Sequence, residues 1–188
     1  RARHDGRLNL HVERIAGAGC SVFIVHARKA WLKGLSPKEN RDVPPLNYER
    51  VYQLKRDLPQ LTIIINGGID TVEAVETHLK HTDGAMLGRT AYHEPYRLAE
   101  LEHAFHGTPL PDRQALILQM RPYVEAHLAT GGKLQHISRH LLGLFQGLPG
   151  ARAWRRYLSE NAHRADAGYD TLEKALQVSQ MHSGARAA

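Results

Sequence analysis

Cysteine is almost absent from this sequence: Cys20 is the only one among 188 residues. A single thiol excludes an internal disulfide, and a reducing, cytoplasmic compartment is the simplest expectation. No apolar run approaches the roughly 20 residues that cross a bilayer, and the opening RARHDGRLNL contains no apolar core of a signal peptide. No spacing typical of a zinc site, a Ser/His/Asp triad or a P-loop occurs. We therefore expect neither a membrane nor a metal as a partner.

Acidic residues are the minority, with 19 Asp and Glu against 25 Lys and Arg, so the formal net charge is +6. The excess is uneven: residues 28–56 contain eight basic and three acidic side chains, and a second basic group comprises Arg152, Arg155 and Arg156. Such clusters can neutralise a phosphate backbone, or they can be a solvated face without a partner. Charge alone leaves both readings open.

Short apolar runs alternate with helical patterns over residues 1–107. The runs are Ser21–Val25, Leu61–Ile65 and the weaker Gly84–Leu87. Continuous apolarity is typical of parallel strands buried on both faces, and the alternation predicts a parallel α/β sheet or barrel. Between the strands, Asn47 is expected to cap one helix and Asp70 with Glu73 to cap the next.

The pattern changes after the Pro-rich segment TPLPD (Thr108–Asp112). Residues 108–180 show only helical periodicity, which predicts a small helical bundle, and residues 181–188 are expected to be a disordered tail. Three strands cannot close a barrel, which needs about eight. We therefore expect the chain to be a fragment of a longer protein.

Glycine-containing turns follow two consecutive predicted strands. Asn66-Gly67-Gly68 comes directly after LTIII, and Gly88-Arg89 comes directly after GAML. Glycines at a strand end let a backbone approach a ligand closely, helix N-termini attract phosphate, and arginine can bind phosphate oxygens with two donors. Each motif alone is compatible with a tight turn. Together, one βα unit apart, they predict a phosphate site of the kind found after the last strands of TIM barrels.

Two further features lie near the first strand. His26 follows SVFIV, where its ring would point into the mouth of a barrel and contact a cofactor or a carbonyl group, although a lone histidine is often structural. The loop from Lys29 to Pro45 mixes basic residues with Trp31, and is either a nucleic-acid-binding loop or a packed lid. Cys20 is expected to be a buried, inert residue.

These segments resemble bacterial tRNA-dihydrouridine synthases of the A subfamily. The matching runs are FIVHARKAWLKGLSPKENRDVPPL (Phe23–Leu46), INGGI (Ile65–Ile69), DGAMLGRTAYHEPY (Asp83–Tyr96) and ISRHLLGLFQGLPGARAWRRYLSENAH (Ile137–His163). The resemblance implies the C-terminal portion of an FMN-binding TIM barrel followed by an all-α helical domain that binds tRNA. It also implies reduction of D-loop uridines at tRNA positions 20 and 20a by an oxidoreductase that takes its electrons from NADPH and is monomeric at full length.

Carried over by residue, the resemblance implies an FMN site comprising His26, Asn66, Gly67, Gly68, Gly88 and Arg89. It implies tRNA contacts from Lys38, Arg41, Arg139, Arg152, Arg155 and Arg156. The family's proton-donating cysteine, in an N-x-G-C-P type motif, has no counterpart here, because Cys20 occupies a different position. No catalytic residue is therefore expected in this chain, which is expected to be inactive alone.

Two alternatives remain open. An FMN barrel that acts on a small molecule would explain the glycine turns but not the arginines near the C-terminus. A tRNA-binding remnant without redox chemistry would explain the arginines and would bind tRNA without a flavin.

Overall fold

The computed structural model describes residues 2–29, 31 and 33–184. The elements in chain order are α1 (Ala2–Gly17), β1 (Val22–His26), a 3₁₀ turn (Glu39–Arg41), α2 (Tyr48–Asp57), β2 (Thr62–Asn66), α3 (Val72–Leu79), β3 (Gly84–Met86), α4 (Arg89–His93), α5 (Tyr96–His106), α6 (Arg113–Gln119), α7 (Arg121–Ala129), α8 (Gln135–Ser138), α9 (Ala151–Asn161) and α10 (Tyr169–Gly184).

The chain divides into two compact units at residue 88, so the first unit covers residues 1–88 and the second covers 89–188. The sequence places this boundary at 107. The difference arises because α5 packs with the later helices: Tyr96 lies against their apolar core, its hydroxyl donates to Pro111 O at 2.8 Å, and the Arg113 guanidinium lies 3.8 Å from its ring centre.

The first unit contains a parallel sheet whose strand order is β1-β2-β3. In the ladder between β1 and β2, His26 is opposite Asn66, and the ladder between β2 and β3 sets Asn66 opposite Met86. The carboxyl ends of the strands therefore meet at one edge. The three predicted apolar runs are confirmed as parallel strands, each within one residue of its predicted start.

Burial of the sheet differs from the expectation for strands covered on both faces. Ile63 and Ile65 of β2 are fully buried, whereas Val22 and Ile24 of β1 are 52% and 58% exposed. Within the described residues, helices therefore cover one face of β1 only.

Two helix caps position the connections at the strand ends. The Asn47 side chain accepts a hydrogen bond from Arg50 N at 3.1 Å and starts α2, as predicted. For α3 the cap is Thr71, whose hydroxyl accepts from Ala74 N at 3.1 Å; the prediction of Asp70 at this position is wrong. Asp70 is therefore an exposed residue just before the cap.

The second unit is built from helices in its described part. Its core includes Trp154, which is fully buried, packs against Phe145 at 4.9 Å between ring centres, and donates from Nε1 to Leu141 O at 2.9 Å. The apolar pattern from Leu134 to Phe145 predicts one helix, but only α8 forms, and turns follow it. Within these turns, the His93 carbonyl occupies the place that a side chain at residue 143 would fill, so only glycine fits there.

At the C-terminus, α10 continues to Gly184 and is longer than the sequence indicates. Its buried residues Leu172, Ala175 and Leu176 anchor it to the helical core. The expected disordered tail is therefore helical over 181–184, and residues 185–188 lie outside the described residues.

Candidate cofactor site and basic groove

His26 and Asn66 form the centre of a polar cluster at the carboxyl edge of the sheet. Because the two residues are opposite each other in neighbouring parallel strands, their side chains meet, with His26 Nδ1 lying 2.9 Å from Asn66 Oδ1. The amide oxygen is an acceptor, so this contact favours the tautomer with a proton on Nδ1. The His26 ring is exposed, and its orientation is set by Asn66.

The turn that follows Asn66 requires glycine twice. Gly67 and Gly68 have φ values of +122° and +65°, which lie in the left-handed region. A Cβ on Gly68 would lie 2.7 Å from Leu46 Cδ1, and one on Gly67 would lie 3.0 Å from Leu46 Cδ2. The glycines therefore form the turn and also let it pack closely onto Leu46.

The amides of this turn face no acceptor within the described part of the chain. Backbone N–H groups of Gly67 and Gly68 donate no hydrogen bond there, whereas Gly67 O accepts one. Consecutive unpaired amides in a turn with positive φ form an anion-binding concavity. A phosphate oxygen is a suitable acceptor for them, so the turn fits the phosphate end of a nucleotide cofactor.

Tyr48 holds this turn and is absent from the sequence-based prediction. Its hydroxyl donates to Gly67 O at 2.9 Å. Burial raises the pKa of the Tyr48 phenol above its ordinary value, and the Asp70 carboxylate adds to that shift, so the hydroxyl keeps its proton. Only the fold brings the first residue of α2 to the end of β2, and no local motif marks it.

Behind Tyr48 lies a buried histidine. The His78 ring packs edge-on against Tyr48 at 4.4 Å between ring centres, and its Nδ1 lies 2.7 Å from Tyr52 Oη. Burial lowers the pKa of His78 below its ordinary value, and the nearby His81 lowers it further. A neutral His78 therefore supports the residue that positions the glycine turn.

Gly88 follows β3 at the same edge of the sheet, and a Cβ built there would meet nothing within 4 Å. Open space at this point leaves room for a ligand. Arg89 begins α4 and belongs to the second unit. Its predicted role in the phosphate site stays a prediction.

The loop after β1 is closed on itself by Asn40. Asn40 Oδ1 accepts a hydrogen bond from Trp31 N at 2.7 Å, and Asn40 Nδ2 donates one to Trp31 O at 3.0 Å. Trp31 is 46% exposed, so it is not part of a packed core. Lys38 precedes the 3₁₀ turn and is exposed, while the side chain of Arg41 lies outside the described part of the structure.

Three predicted arginines meet in one groove of the second unit. Arg152, Arg155 and Arg156 of α9 line a cavity of about 550 Å³ together with Tyr157 and with His182 of α10. Arg155 Nη1 donates to Gln146 Oε1 at 2.6 Å, and Arg156 Nε donates to Glu160 Oε1 at 2.9 Å. All three arginines are exposed, and hydrogen bonds to neighbouring side chains hold Arg155 and Arg156 in position. We call this set the basic groove.

Arg139 is not among the residues that line the basic groove. Its Nε lies 3.1 Å from His140 Nε2, and its side chain is exposed. The geometry therefore groups Arg152, Arg155 and Arg156 and leaves Arg139 apart.

Cys20 corrects one prediction. It is exposed, in the turn between α1 and β1, and its thiol donates to Val22 O at 3.4 Å. Residues of this turn precede the sheet and are not covered by a helix, which explains the exposure.

The described residues offer neither a metal site nor a membrane span. No group of three or more His, Cys, Asp or Glu side chains in them could hold a metal ion. None of the helices found there combines the length and apolarity that a membrane span requires.

A three-stranded parallel sheet with its helices, joined in sequence to a helical unit, places the described residues in the class of α/β proteins. The family model for dihydrouridine synthase matches residues 4–181. The chain belongs to this family.

Curated relatives agree with the family model. The chain is 58% identical over 171 residues to the tRNA-dihydrouridine(20/20a) synthase of Shewanella oneidensis, covering 90% of this chain and 51% of the relative. It is 55% identical over 160 residues to that of Vibrio cholerae, covering 84% and 49%. For the protein of Escherichia coli K12 the identity is 55% over 170 residues, covering 89% and 49%. The chain thus spans about half the length of the curated relatives it matches.

Proposed function

We propose that this chain is part of a flavin-dependent oxidoreductase that reduces uridine to 5,6-dihydrouridine in the D-loop of tRNA, at positions 20 and 20a. Relatives that are 55–58% identical carry the name tRNA-dihydrouridine(20/20a) synthase, and this supports the substrate. The parallel sheet corresponds to part of a TIM barrel, and the second unit corresponds to the tRNA-binding helical domain. NADPH is the proposed reductant.

The glycine turn is the observation that carries the cofactor assignment. Gly67 and Gly68, directly after Asn66, offer unpaired amides at a strand end, and open space adjoins Gly88. These features fit the phosphate of FMN, with Arg89 as a further proposed ligand. His26, oriented by Asn66, would accept a hydrogen bond at Nε2 from the flavin ring, because the contact with Asn66 Oδ1 favours the tautomer with its proton on Nδ1. When bound, FMN supplies the hydride.

The basic groove supports a polyanionic substrate. Each arginine that contacts a phosphate releases bound counterions, so binding weakens as salt rises. Lys38 and Arg41 are proposed to add contacts from the loop after β1. Arg139, outside the groove, is proposed as a separate contact.

A titration of the purified 188-residue chain with FMN, followed by flavin absorbance, tests the cofactor site. Stoichiometric binding is the expected result. A chain that binds tRNA but no FMN would refute the cofactor assignment and would favour a tRNA-binding function without redox chemistry.

A parallel titration with tRNA tests the basic groove. Replacing Arg152 by Gln should weaken binding and reduce the slope of log affinity against log salt by about 1. Arg164→Gln is the matched control, because Arg164 lies on the same unit, pairs with Asp166 and does not line the groove. Equal losses in the two variants would show that net charge, and not the groove, determines affinity.

A further inference from the structure

Arg28 lies at the carboxyl edge of the sheet, two residues after the end of β1. Its backbone pairs with Leu46 in an antiparallel bridge, and Leu46 packs on Gly67 and Gly68. Ala27 N donates to Asn66 O at 2.7 Å, which fixes the chain just before Arg28 against the end of β2. Arg28 is therefore held beside the proposed cofactor turn by backbone contacts on both sides.

Two of the three guanidinium nitrogens of Arg28 are buried without a hydrogen-bond partner in the described part of the chain. Its Nε and Nη1 atoms are inaccessible to solvent and have no hydrogen-bond partner within the described ranges. Buried donors are nearly always paired, because a donor removed from water without an acceptor is unfavourable. A solvated basic face would leave Nε and Nη1 in contact with water, so it does not explain why these two atoms are buried.

Nearby groups place Arg28 within the same polar cluster. Its positive charge lowers the pKa of the Tyr48 phenol, against the larger effect of burial, so the guanidinium and the phenol are close enough to interact. Tyr48 in turn donates to Gly67 O. Tyr48 is therefore a shared neighbour of Arg28 and of the turn whose own amides lack acceptors.

We propose that Arg28 binds an acceptor oxygen of the molecule that occupies this edge, either a phosphate oxygen or a ring carbonyl oxygen. The proposal rests on the proposed function, since it takes the glycine turn to be a ligand site. Guanidinium N–H groups are strong donors to both kinds of oxygen, and charge makes such bonds stronger than neutral ones. Ligand binding would satisfy donors that the free chain leaves unpaired.

The test compares thermal unfolding of the 188-residue chain with Arg28→Met, Arg28→Lys and Arg56→Met variants. Arg56 is the matched control, because it is an exposed arginine of the same unit that bonds to Glu49 and Gln53. Without ligand, Arg28→Met should melt at or above the wild-type temperature, because methionine keeps the buried stem and removes the unpaired donors. A melting temperature clearly below wild type would overturn the proposal, since it would mean that the guanidinium stabilises the free chain.

Two probes then separate the sources of the oxygen: inorganic phosphate, and riboflavin, which has ring carbonyls but no phosphate. At least one probe should stabilise the wild-type and Arg56→Met chains, and its affinity should fall at least tenfold in Arg28→Met. If only phosphate affinity falls, the acceptor is a phosphate oxygen, and Arg28→Lys should partly restore that affinity. If only riboflavin affinity falls, the acceptor is a ring carbonyl oxygen. If neither probe distinguishes Arg28→Met from Arg56→Met, the proposal is overturned. Failure of wild-type chain to bind FMN or tRNA would instead count against the proposed function.

Discussion

Replacement of Gly68 by alanine tests whether the glycine turn is built as described. Gly68 has φ of +65°, and an added Cβ would lie 2.7 Å from Leu46 Cδ1. An alanine in the left-handed region costs about 1–2 kcal/mol, and overpacking adds about 1–3 kcal/mol. We therefore expect Gly68→Ala to lower the free energy of unfolding of the first unit by about 2–5 kcal/mol.

Gly107 offers a matched control. Its φ of +68° is almost the same, but a Cβ there would meet nothing within 4 Å. Gly107→Ala should therefore cost only the backbone part, about 1–2 kcal/mol in the second unit. The difference between the two variants isolates the contacts of the added Cβ with Leu46 and, at 3.2 Å, with Tyr48 Oη.

Native-state hydrogen exchange supplies the assay, because it reports each unit separately. Protection of β2 amides follows the first unit, and protection of α9 amides follows the second. Adding Leu46→Ala to Gly68→Ala should recover the clash part of the loss, giving a favourable coupling of about 1–3 kcal/mol. Equal losses of unfolding free energy in Gly68→Ala and Gly107→Ala would refute close packing of Gly68 on Leu46. So would losses from Gly68→Ala and Leu46→Ala that simply add in the double variant. FMN affinity should fall in Gly68→Ala and stay unchanged in Gly107→Ala.

Three other predictions concern single side chains. Burial lowers the pKa of His78 below its ordinary value of 6.5, so below that pH the unfolded chain binds more protons than the folded chain. The stability of the first unit should therefore be complete above about pH 6.5 and should fall as the pH drops below it. Urea unfolding measures this dependence, and a His78→Phe variant should lose it. Tyr48→Phe removes the hydrogen bond to Gly67 O and should cost about 0.5–1.5 kcal/mol and weaken FMN binding, whereas unchanged FMN affinity would remove Tyr48 from the site. Trp154→Ala empties a fully buried position and should lower the unfolding free energy of the second unit by about 3–5 kcal/mol; a urea midpoint close to wild type would contradict the core described for that unit.

Much of the sheet could be predicted because apolar runs and caps are local signals. The strand runs were located within one residue, and Asn47 begins α2 as its side chain indicates. His26 and Asn66 were both predicted as site residues, and the adjacency of β1 and β2 explains why they meet. The confirmed strand positions and the Asn47 cap depend on local signals, whereas the roles of His26 and Asn66 in a cofactor site stay predictions.

The remaining features depend on contacts between distant segments. Tyr48 acts on Gly67 across α2 and β2, and Arg28 is distinguished from other loop cations only by burial of its guanidinium. Apolarity along β1 could not show that one face of the strand is exposed, because the same residues suit a covered and an uncovered face. The boundary at residue 88 follows from the packing of Tyr96, which its sequence neighbours do not indicate.

The placement of the two tryptophans, one in each unit, has a spectroscopic consequence. Trp31 is 46% exposed in the loop after β1, whereas Trp154 is fully buried beside Phe145. Water around an indole shifts its emission to longer wavelengths, so the two fluorophores differ in colour and in access to soluble quenchers. Replacing either one by phenylalanine would leave a chain with a single optical reporter. In these two single-tryptophan chains, Trp31 would report on events at the loop after β1 and Trp154 on melting of the helices, without an added label.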